Sequence, residues 1–273
     1  MGLEEKTEKL KKELRALAET DVIVAFSGGA DSSLLLTMAC EAAKEQHTKV
    51  YAILMETTLM PEEDLENLRQ MAKERGAAFL AIQADPLWEA GIEDNPVDRC
   101  YRCKKYLFQK MLEKGKELGA PTLMEGSNAD DRNVYRPGLK AIRELGVHSP
   151  LAKAGLTKAE VRQLGRRYGV KAADQPSAPC LATRFPYGTR LTKEELRKVE
   201  EGEAFLKTFC PKNVRLRVHT DVARIETDTE AFPVILEHAE EIASYLKALG
   251  YTYVTLDLDG FTSGSMDRKI EDL

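Results

Sequence analysis

The segment from Val22 to Ser33 constrains the fold of this chain more than any other. A short apolar run, Val22-Ile23-Val24-Ala25, leads into Phe26-Ser27-Gly28-Gly29-Ala30-Asp31-Ser32-Ser33, and apolar residues then recur at helical spacing from Leu34 to Ala42. This order predicts a strand, a glycine-rich turn and the N-terminus of a helix. Such a turn binds anions, because the first helical N–H groups have no internal partner and the helix dipole favours negative charge there.

The side chains of this turn suit a polyphosphate. Gly28 and Gly29 let the backbone approach a phosphate closely, and three serines supply hydroxyl donors. Asp31 is placed either to cap the helix or to hold Mg²⁺. The turn has neither the lysine of the P-loop nor the GxGxxG spacing. It resembles the pyrophosphate-binding loop of ATP pyrophosphatases, which cleave ATP to AMP and pyrophosphate; a serine-rich turn without a ligand is the alternative.

Apolar strands and amphipathic helices alternate after this turn. We predict strands at 50–55, 77–82 and 121–124, and helices at 62–75 and 101–118. This pattern predicts an α/β fold, a parallel sheet with helices on both faces, whose ligands bind beyond the carboxyl ends of the strands. The predicted nucleotide-binding residues are Ala25, Ser27, Gly28, Gly29, Asp31, Ser32, Ser33, Met55, Gly126, Asn128 and Asp131.

A long loop rich in proline, glycine and small residues, 171–190, interrupts the alternation. We place a domain boundary at its end. Residues 1–190 then form an ATP pyrophosphatase domain. Residues 191–273, with predicted strands at 214–219, 223–227 and 251–258 and helices at 193–208 and 231–249, form a smaller α+β domain for substrate binding or oligomerisation.

Composition limits the partners of the chain. The net charge of −5 argues against nucleic acid as a partner, and the sequence has no run of 18 apolar residues that would span a membrane. Its five cysteines are too few and too unevenly spaced for a disulfide scaffold. They fit a reduced, cytoplasmic protein, in which clustered cysteines more often bind metal.

Three cysteines are candidates for a metal site. Cys100 and Cys103 form a C-x-x-C among basic residues at the start of a predicted helix, and Cys180 lies in the long loop. Three thiolates match a [4Fe–4S] cluster that has one open iron. Zinc, a reactive or sacrificial thiol and a thioredoxin-like dithiol are alternatives. Cys40 and Cys210 are predicted to be small apolar core residues.

The order of motifs identifies a family. Besides the loop from Ser27 to Ser33, the matching segments are Glu125-Gly126-Ser127-Asn128-Ala129-Asp130-Asp131, Tyr135-Arg136-Pro137-Gly138, Ser149-Pro150-Leu151, Ala154-Gly155-Leu156-Thr157-Lys158, Pro179 to Gly188 and Gly264-Ser265-Met266. Together they resemble the LarE family of PP-loop, ATP-dependent sulfur transferases over nearly the whole chain. The resemblance implies adenylylation of a carboxylate of pyridinium-3,5-biscarboxylic acid mononucleotide, release of pyrophosphate, and formation of a thiocarboxylate for the nickel-pincer nucleotide cofactor of lactate racemase.

The resemblance also implies roles for single residues. Family members with only the counterpart of Cys180 give up its sulfur and leave dehydroalanine. This chain also has Cys100 and Cys103, and so looks like the branch that binds an iron–sulfur cluster through all three cysteines. The implied catalytic residues are Cys180, Asp31, Ser32 and Arg184. Arg215 and Arg217 are the implied ligands of the substrate phosphate, and Glu203 and Glu226 those of a divalent metal.

The implied cofactors are ATP, Mg²⁺ and a [4Fe–4S] cluster. The implied partners are a small nucleotide substrate, an external sulfide or other sulfur donor, the other enzymes of nickel-pincer biosynthesis and further copies of the chain in a homo-oligomer. Three alternatives remain at this point: a PP-loop tRNA thiolation enzyme, an ATP-dependent amidotransferase subunit, and a non-catalytic ATP-binding module of the stress-protein kind.

Overall fold

The computed structural model describes residues 1–61, 64–133, 137–175, 179–210, 212–262 and 265. The chain divides into two units. The first consists of Met1–Thr57, Glu62–Ala90 and Asp98–Ser177, and the second of Thr58–Pro61, Gly91–Val97 and Ala178–Leu273. Residues 178–190, which lie before the predicted domain boundary, thus group with the second unit, as do two short pieces from earlier in the chain.

The first unit alternates strands and helices. Its elements, in chain order, are α1 (Leu3–Leu17), β1 (Val22–Ala25), α2 (Ala30–Gln46), β2 (Val50–Glu56), α3 (Leu65–Glu74), β3 (Ala78–Gln83), α4 (Pro86–Glu89), α5 (Arg99–Leu118), β4 (Thr122–Met124), α6 (Gly138–Glu144), α7 (Pro150–Ala154) and α8 (Lys158–Arg167). The helix predicted at 62–75 begins at Leu65, where the Asp64 side chain accepts a hydrogen bond from the Asn67 N–H.

The four strands form one parallel sheet in the order β3-β2-β1-β4. β1 is paired on both edges, with Val22 opposite Val50 of β2 and Thr122 of β4. The carboxyl ends of β1, β2 and β4 therefore lie side by side, and the loops that follow them meet at one edge of the sheet.

Successive residues of the inner strands pack on opposite faces of the sheet. Val22 and Val24 belong to the hydrophobic cluster that includes α1, α2 and α8, whereas Ile23 belongs to a second cluster with Phe108 and Met111 of α5. A strand buried on both faces has a continuous apolar sequence, as Val22 to Ala25 does. The predicted parallel sheet with helices on both faces is confirmed.

The second unit contains a smaller, mixed sheet. Its elements are α9 (Lys193–Lys207), β5 (Val214–His219), β6 (Val222–Thr227), α10 (Phe232–Glu237), α11 (Ala239–Ala248) and β7 (Tyr253–Leu256). β5 and β6 are antiparallel, and β6 and β7 are parallel. The predicted α+β architecture of this part is confirmed. The helix predicted at 231–249 is divided in two, because His238 leaves the helical conformation at φ −102° and ψ 20°.

No helix in the described part of the chain is long and apolar enough to cross a membrane. Tyr135, Arg136, Gly264 and Met266 of the family motifs lie outside the described residues.

Candidate active site

The glycine-rich turn after β1 has the backbone that its sequence predicts. Gly28 adopts φ +71°, a conformation that costs other residues energy, and a Cβ at this position would collide with Leu68 Cδ2. Gly29 is the N-cap of α2 and offers no capping side chain. The N–H groups of the first turn of α2 therefore have no side-chain cap. They lie beyond the carboxyl end of β1, where an anion can accept hydrogen bonds from them.

The serines of the turn have different surroundings. The Ser32 hydroxyl lies 3.3 Å from the Ser27 hydroxyl and donates to the Gly29 carbonyl at 3.2 Å, so both hydroxyls belong to the loop. The Ser33 side chain is buried beside Met71 and Val170, and its hydroxyl has no partner among the described residues. Ser32 and Ser27 are therefore better placed than Ser33 to contact a phosphate.

The loop after β4 packs directly on the first turn of α2. A Cβ at Gly126 would lie 3.1 Å from the Ser32 nitrogen and 3.2 Å from Asp31 Cβ, so only glycine leaves room for this approach. Asn128 Nδ2 donates to Asp31 Oδ1 at 3.3 Å. Asp131 is buried and accepts from the Asn128 N–H at 3.0 Å, which holds the turn in shape. The loops after β1 and β4 thus meet at Asp31.

Lys158 is a site residue that the sequence analysis did not assign. It is the first residue of α8, and its Nζ pairs with Asp31 Oδ2. Its N–H donates to Asp130 Oδ2 at 2.8 Å. Thr157 and Glu160 form a complete capping box around it. The capping box fixes the first turn of α8, and this turn directs the ammonium group to the phosphate-binding loop.

The sequence held one signal for Lys158. A cation at the first position of a helix is repelled by the helix dipole, so a lysine placed there needs a nearby anion. The pattern Thr157-Lys158-x-Glu160 is typical of a helix start and marks that position. It does not identify Asp31, 127 residues earlier in the chain, as the partner of Lys158.

The ends of β1 and β2, where Ala25 and Met55 are predicted to bind nucleotide, give less information about the site. Ala25, the last residue of β1, is the register partner of Ile53 in the middle of β2. Met55 lies near the carboxyl end of β2, and its side chain is buried in the cluster that contains Ile23. The assignment of Ala25 and Met55 to the nucleotide site stays a prediction.

Cys100 and Cys103 lie at the start of α5, one turn apart on the same side of the helix, as predicted. Cys100 is exposed and Cys103 is half-buried, so both thiols are within reach of solvent. The neighbouring Lys104 lies 3.7 Å from Glu125 Oε2. Both cysteines belong to the first unit, in a segment rich in basic residues.

Cys180 lies in the second unit on a tightly held segment. It precedes a 3₁₀ turn, Leu181–Arg184, and its carbonyl accepts from the Thr183 N–H at 3.0 Å and the Thr183 hydroxyl at 2.7 Å. Leu181 and Phe185 are buried, whereas Cys180 is half-buried. The segment therefore keeps its cysteine accessible while most of the segment is inside the protein.

Arg184 is fully buried and makes its contacts with the protein itself. Its Nε and Nη2 donate to the two carboxylate oxygens of Glu203 at 2.8 and 2.9 Å. Its Nη1 donates to the carbonyls of Pro179 at 2.8 Å and Cys180 at 3.2 Å. Because Arg184 is only 1% exposed, its charge is stabilised by Glu203 and not by water. The arginine holds the backbone on both sides of the cysteine.

A second buried pair supports the same segment. Arg217 donates to Glu226 Oε2 from Nε at 2.9 Å and from Nη2 at 2.8 Å, and its Nη1 donates to the Thr183 carbonyl at 2.8 Å. Glu226 is completely buried, and it also accepts from Arg224 at 3.0 Å and from the Ser265 hydroxyl at 2.9 Å. The predicted metal ligands Glu203 and Glu226 are therefore both paired with arginines in this structure.

Arg215 differs from these two arginines. It is buried, its guanidinium donates to the Val214 carbonyl at 2.7 Å, and it lies over the Phe261 ring at 5.4 Å. Burial, followed by the nearby charge of Arg184, lowers the pKa of Arg215. Burial disfavours the charged form of this guanidinium, and a bound anion would offset that cost, which is the property that a phosphate-binding residue needs.

The remaining cysteines have inert surroundings. Burial raises the pKa of the Cys40 thiol to about 12 and also raises the pKa of the Cys210 thiol. Both thiols are protonated at neutral pH and pack as small apolar side chains.

Within the described ranges, no three side chains of histidine, cysteine, aspartate or glutamate are grouped so that they could hold a metal ion. Cys100 and Cys103 belong to one unit and Cys180 to the other, and the proposed three-cysteine set is not assembled within either unit. Asp31, Ser32, Gly126, Asn128 and Lys158, in contrast, are brought together within the first unit.

Comparisons with known proteins agree with this geometry. The PP-loop domain family matches residues 3–132, the part of the chain that contains β1 to β4. A pyridinium-3,5-bisthiocarboxylic acid mononucleotide synthase of Lactiplantibacillus plantarum is 35% identical over 246 residues, which cover 90% of this chain and 88% of the relative.

Two further relatives differ in how much of this chain they match. An uncharacterized protein of Synechocystis sp. is 34% identical over 97% of this chain and 98% of its own length. A tRNA-specific 2-thiouridylase of Geobacter metallireducens is 26% identical over 58% of this chain and 53% of its own length.

The backbone of the phosphate loop gives a first prediction. In Gly28→Ala the new methyl group meets Leu68 and the residue is forced into φ +71°, so we expect the free energy of unfolding to fall by at least about 1 kcal/mol. Gly29→Ala is the matched control, because φ there is −73° and the nearest atom to a Cβ is Ser27 Oγ at 3.7 Å. Urea unfolding of both variants makes the measurement. Equal stability of the two would contradict the steric argument.

Proposed function

The chain belongs to the LarE family of PP-loop, ATP-dependent sulfurtransferases, and from this premise we propose that it adenylylates a carboxylate of pyridinium-3,5-biscarboxylic acid mononucleotide and converts it to a thiocarboxylate. ATP is cleaved to AMP and pyrophosphate in the first step. The proposed product is used in the biosynthesis of the nickel-pincer nucleotide cofactor.

One observation carries the proposal. The first turn of α2 lacks a capping side chain, Gly28 gives access to it, and Asp31 lies beside it with Asn128 and Lys158. This combination supplies N–H donors for a polyphosphate, a carboxylate for Mg²⁺ and a cation for phosphate charge. A loop with a purely structural role would not need an uncapped helix and a lysine at the first position of α8.

The chain's own residues account for activation of the carboxylate. A carboxylate is a poor electrophile, and transfer of AMP gives it a good leaving group. The N–H groups of α2 and the hydroxyls of Ser27 and Ser32 would stabilise charge on the departing pyrophosphate, with Mg²⁺ held by Asp31. Lys158 would then leave Asp31 for a phosphate oxygen, since the metal replaces it as the counterion of the carboxylate.

The sulfur is proposed to come through the three cysteines. Cys100, Cys103 and Cys180 all have accessible or half-accessible thiols, which is the donor chemistry that a [4Fe–4S] cluster requires. When bound, such a cluster would offer one iron without a protein ligand to carry sulfide. The alternative is that Cys180 itself gives up its sulfur and becomes dehydroalanine. An external sulfide or sulfur donor is needed for repeated turnover in the first case.

The second unit would bind the substrate through its arginines. Arg215 is the stronger candidate for the mononucleotide phosphate, because burial and the nearby charge of Arg184 lower its pKa, and a bound anion would stabilise its charge. Arg217, Glu203 and Glu226 would contribute to phosphate or metal binding only if their ion pairs exchange partners. The catalytic role predicted for Arg184 is subject to the same condition.

The remaining parts of the proposal concern partners. A homo-oligomer, cytoplasmic location and contact with the other enzymes of nickel-pincer biosynthesis rest on the family alone. A tRNA substrate is the second candidate, supported by the partial likeness to a 2-thiouridylase, and the net charge of −5 disfavours it.

The central test is release of pyrophosphate. Asp31→Asn removes the metal-binding carboxylate, so we expect substrate-dependent pyrophosphate release to fall by at least about 100-fold with little loss of thermal stability. Asp21→Asn is the control, because Asp21 accepts from the Lys49 N–H in an exposed turn. Wild-type activity in the Asp31 variant would contradict the assignment, and stimulation of release by tRNA alone would favour the second candidate.

Lys158 can be tested against a neighbour in sequence. Lys158→Met should raise the KM for ATP by at least about tenfold, since a charge-assisted bond to phosphate is lost. Lys153→Met is the matched control, because Lys153 pairs with Glu13 at 2.7 Å and its side chain is 62% exposed. An unchanged KM in the Lys158 variant would show that its contact with Asp31 is only structural.

The route of the sulfur can be tested by the iron content of the protein and by the mass of the chain after one turnover. Protein purified anaerobically should contain about four irons per chain and be brown. Cys100→Ser, Cys103→Ser and Cys180→Ser should each lose iron, whereas Cys40→Ser should keep it. Colourless wild-type protein that loses hydrogen sulfide from Cys180 after one turnover would show that the sacrificial route is used.

A further inference from the structure

We propose that Asn95 is a positioning residue that fixes the Cys180 segment for sulfur transfer. Asn95 lies in Gly91–Val97, one of the two short pieces that group with the second unit although its main part begins only at Ala178. The proposal rests on the proposed function of Cys180, and it concerns a residue that no motif singled out.

Asn95 is joined to the segment after Cys180 by three hydrogen bonds. Its Nδ2 donates to the carbonyls of Phe185 at 3.2 Å and Pro186 at 2.8 Å. The backbone carbonyl of Asn95 accepts from the Gly188 N–H at 3.0 Å. Two carbonyls so close to one amide nitrogen can be satisfied only by an NH₂ group, and this fixes the orientation of the amide.

The position requires asparagine on two independent grounds. Asn95 has φ +48°, a conformation that asparagine tolerates better than most residues other than glycine, and it is 0% exposed. Glycine would keep the backbone but lose both donors. Aspartate would keep the shape but place a carboxylate against two carbonyl oxygens.

Asn95 is one of several residues whose hydrogen bonds hold the Cys180 segment, and we call this set of contacts the clamp. The Leu191 N–H donates to the carbonyl of Glu93, two residues before Asn95, at 2.6 Å. Directly after the cysteine, the Leu181 N–H donates to the Leu59 carbonyl at 2.7 Å. Arg184 donates to the carbonyl of Pro179, which precedes the cysteine, and to that of Cys180 itself. Cys180 thus lies between anchors on both sides, and Asn95 supplies the anchor that follows the 3₁₀ turn.

This arrangement has a functional reason. Sulfur transfer to an acyl-adenylate competes with hydrolysis, and a displacement of about 1 Å in a reacting group can cost about 100-fold in rate. Asn95 does not touch substrate. It would act by holding the half-buried thiol where the activated carboxylate can receive sulfur.

The test compares two products of the same reaction. In Asn95→Gly and Asn95→Asp, pyrophosphate release should stay within about twofold of wild type, while thiocarboxylate formed per pyrophosphate should fall by at least about tenfold. Asn213→Gly is the control, because the side-chain amide of Asn213 donates to the Asp228 carboxylate at 3.1 and 3.4 Å and, in the described part of the chain, has no hydrogen bond with residues 179–188. An equal loss of both products would show a merely structural role and overturn the proposal, as would no loss of thiocarboxylate.

A second measurement separates this proposal from the proposed function. Hydrogen–deuterium exchange of residues 181–188 should be faster in both Asn95 variants and unchanged in the Asn213 variant. If the wild-type protein releases no pyrophosphate, the proposed function fails; faster exchange then still supports the clamp. Unchanged exchange in residues 181–188 would refute the role of Asn95 whatever the activity.

Discussion

The pairing of β1 on both edges is the constraint on which the first unit depends. The strand has four residues, yet it bonds β2 and β4 and contributes side chains to the hydrophobic clusters on both faces of the sheet. Since these neighbours are parallel to it, three chain segments end at the same edge. The phosphate loop can therefore be short and uncapped, because the residues that complete it come from the next loops and not from the loop itself.

The second unit holds one cysteine, Cys180, at a half-accessible place. It does so with charges inside the protein. Arg184 and Arg217 each pair with a glutamate and each donate to backbone carbonyls of the Cys180 segment. Buried ion pairs add little net stability compared with apolar packing, but removal of one partner costs about 3–5 kcal/mol. Such pairs define a conformation more strictly than they stabilise a fold.

Local sequence patterns predicted much of the fold and part of the site. The apolar run and the glycine turn were enough for β1, α2 and the phosphate loop, because those elements depend on neighbouring residues. Lys158 and Asn95 were missed, since their partners lie 127 and 90 residues away. The burial of Glu203 and Arg217 was not predictable either: a charged residue is usually exposed, and only the paired partner explains its position inside.

The interleaving of the two units along the chain has an evolutionary consequence. Thr58–Pro61 and Gly91–Val97 group with a unit whose main part begins at Ala178. No single crossover separates the two units, and one placed between residues 98 and 177 would separate both Asn95 from Phe185 and Leu59 from Leu181. The two units therefore cannot be exchanged between proteins as independent modules.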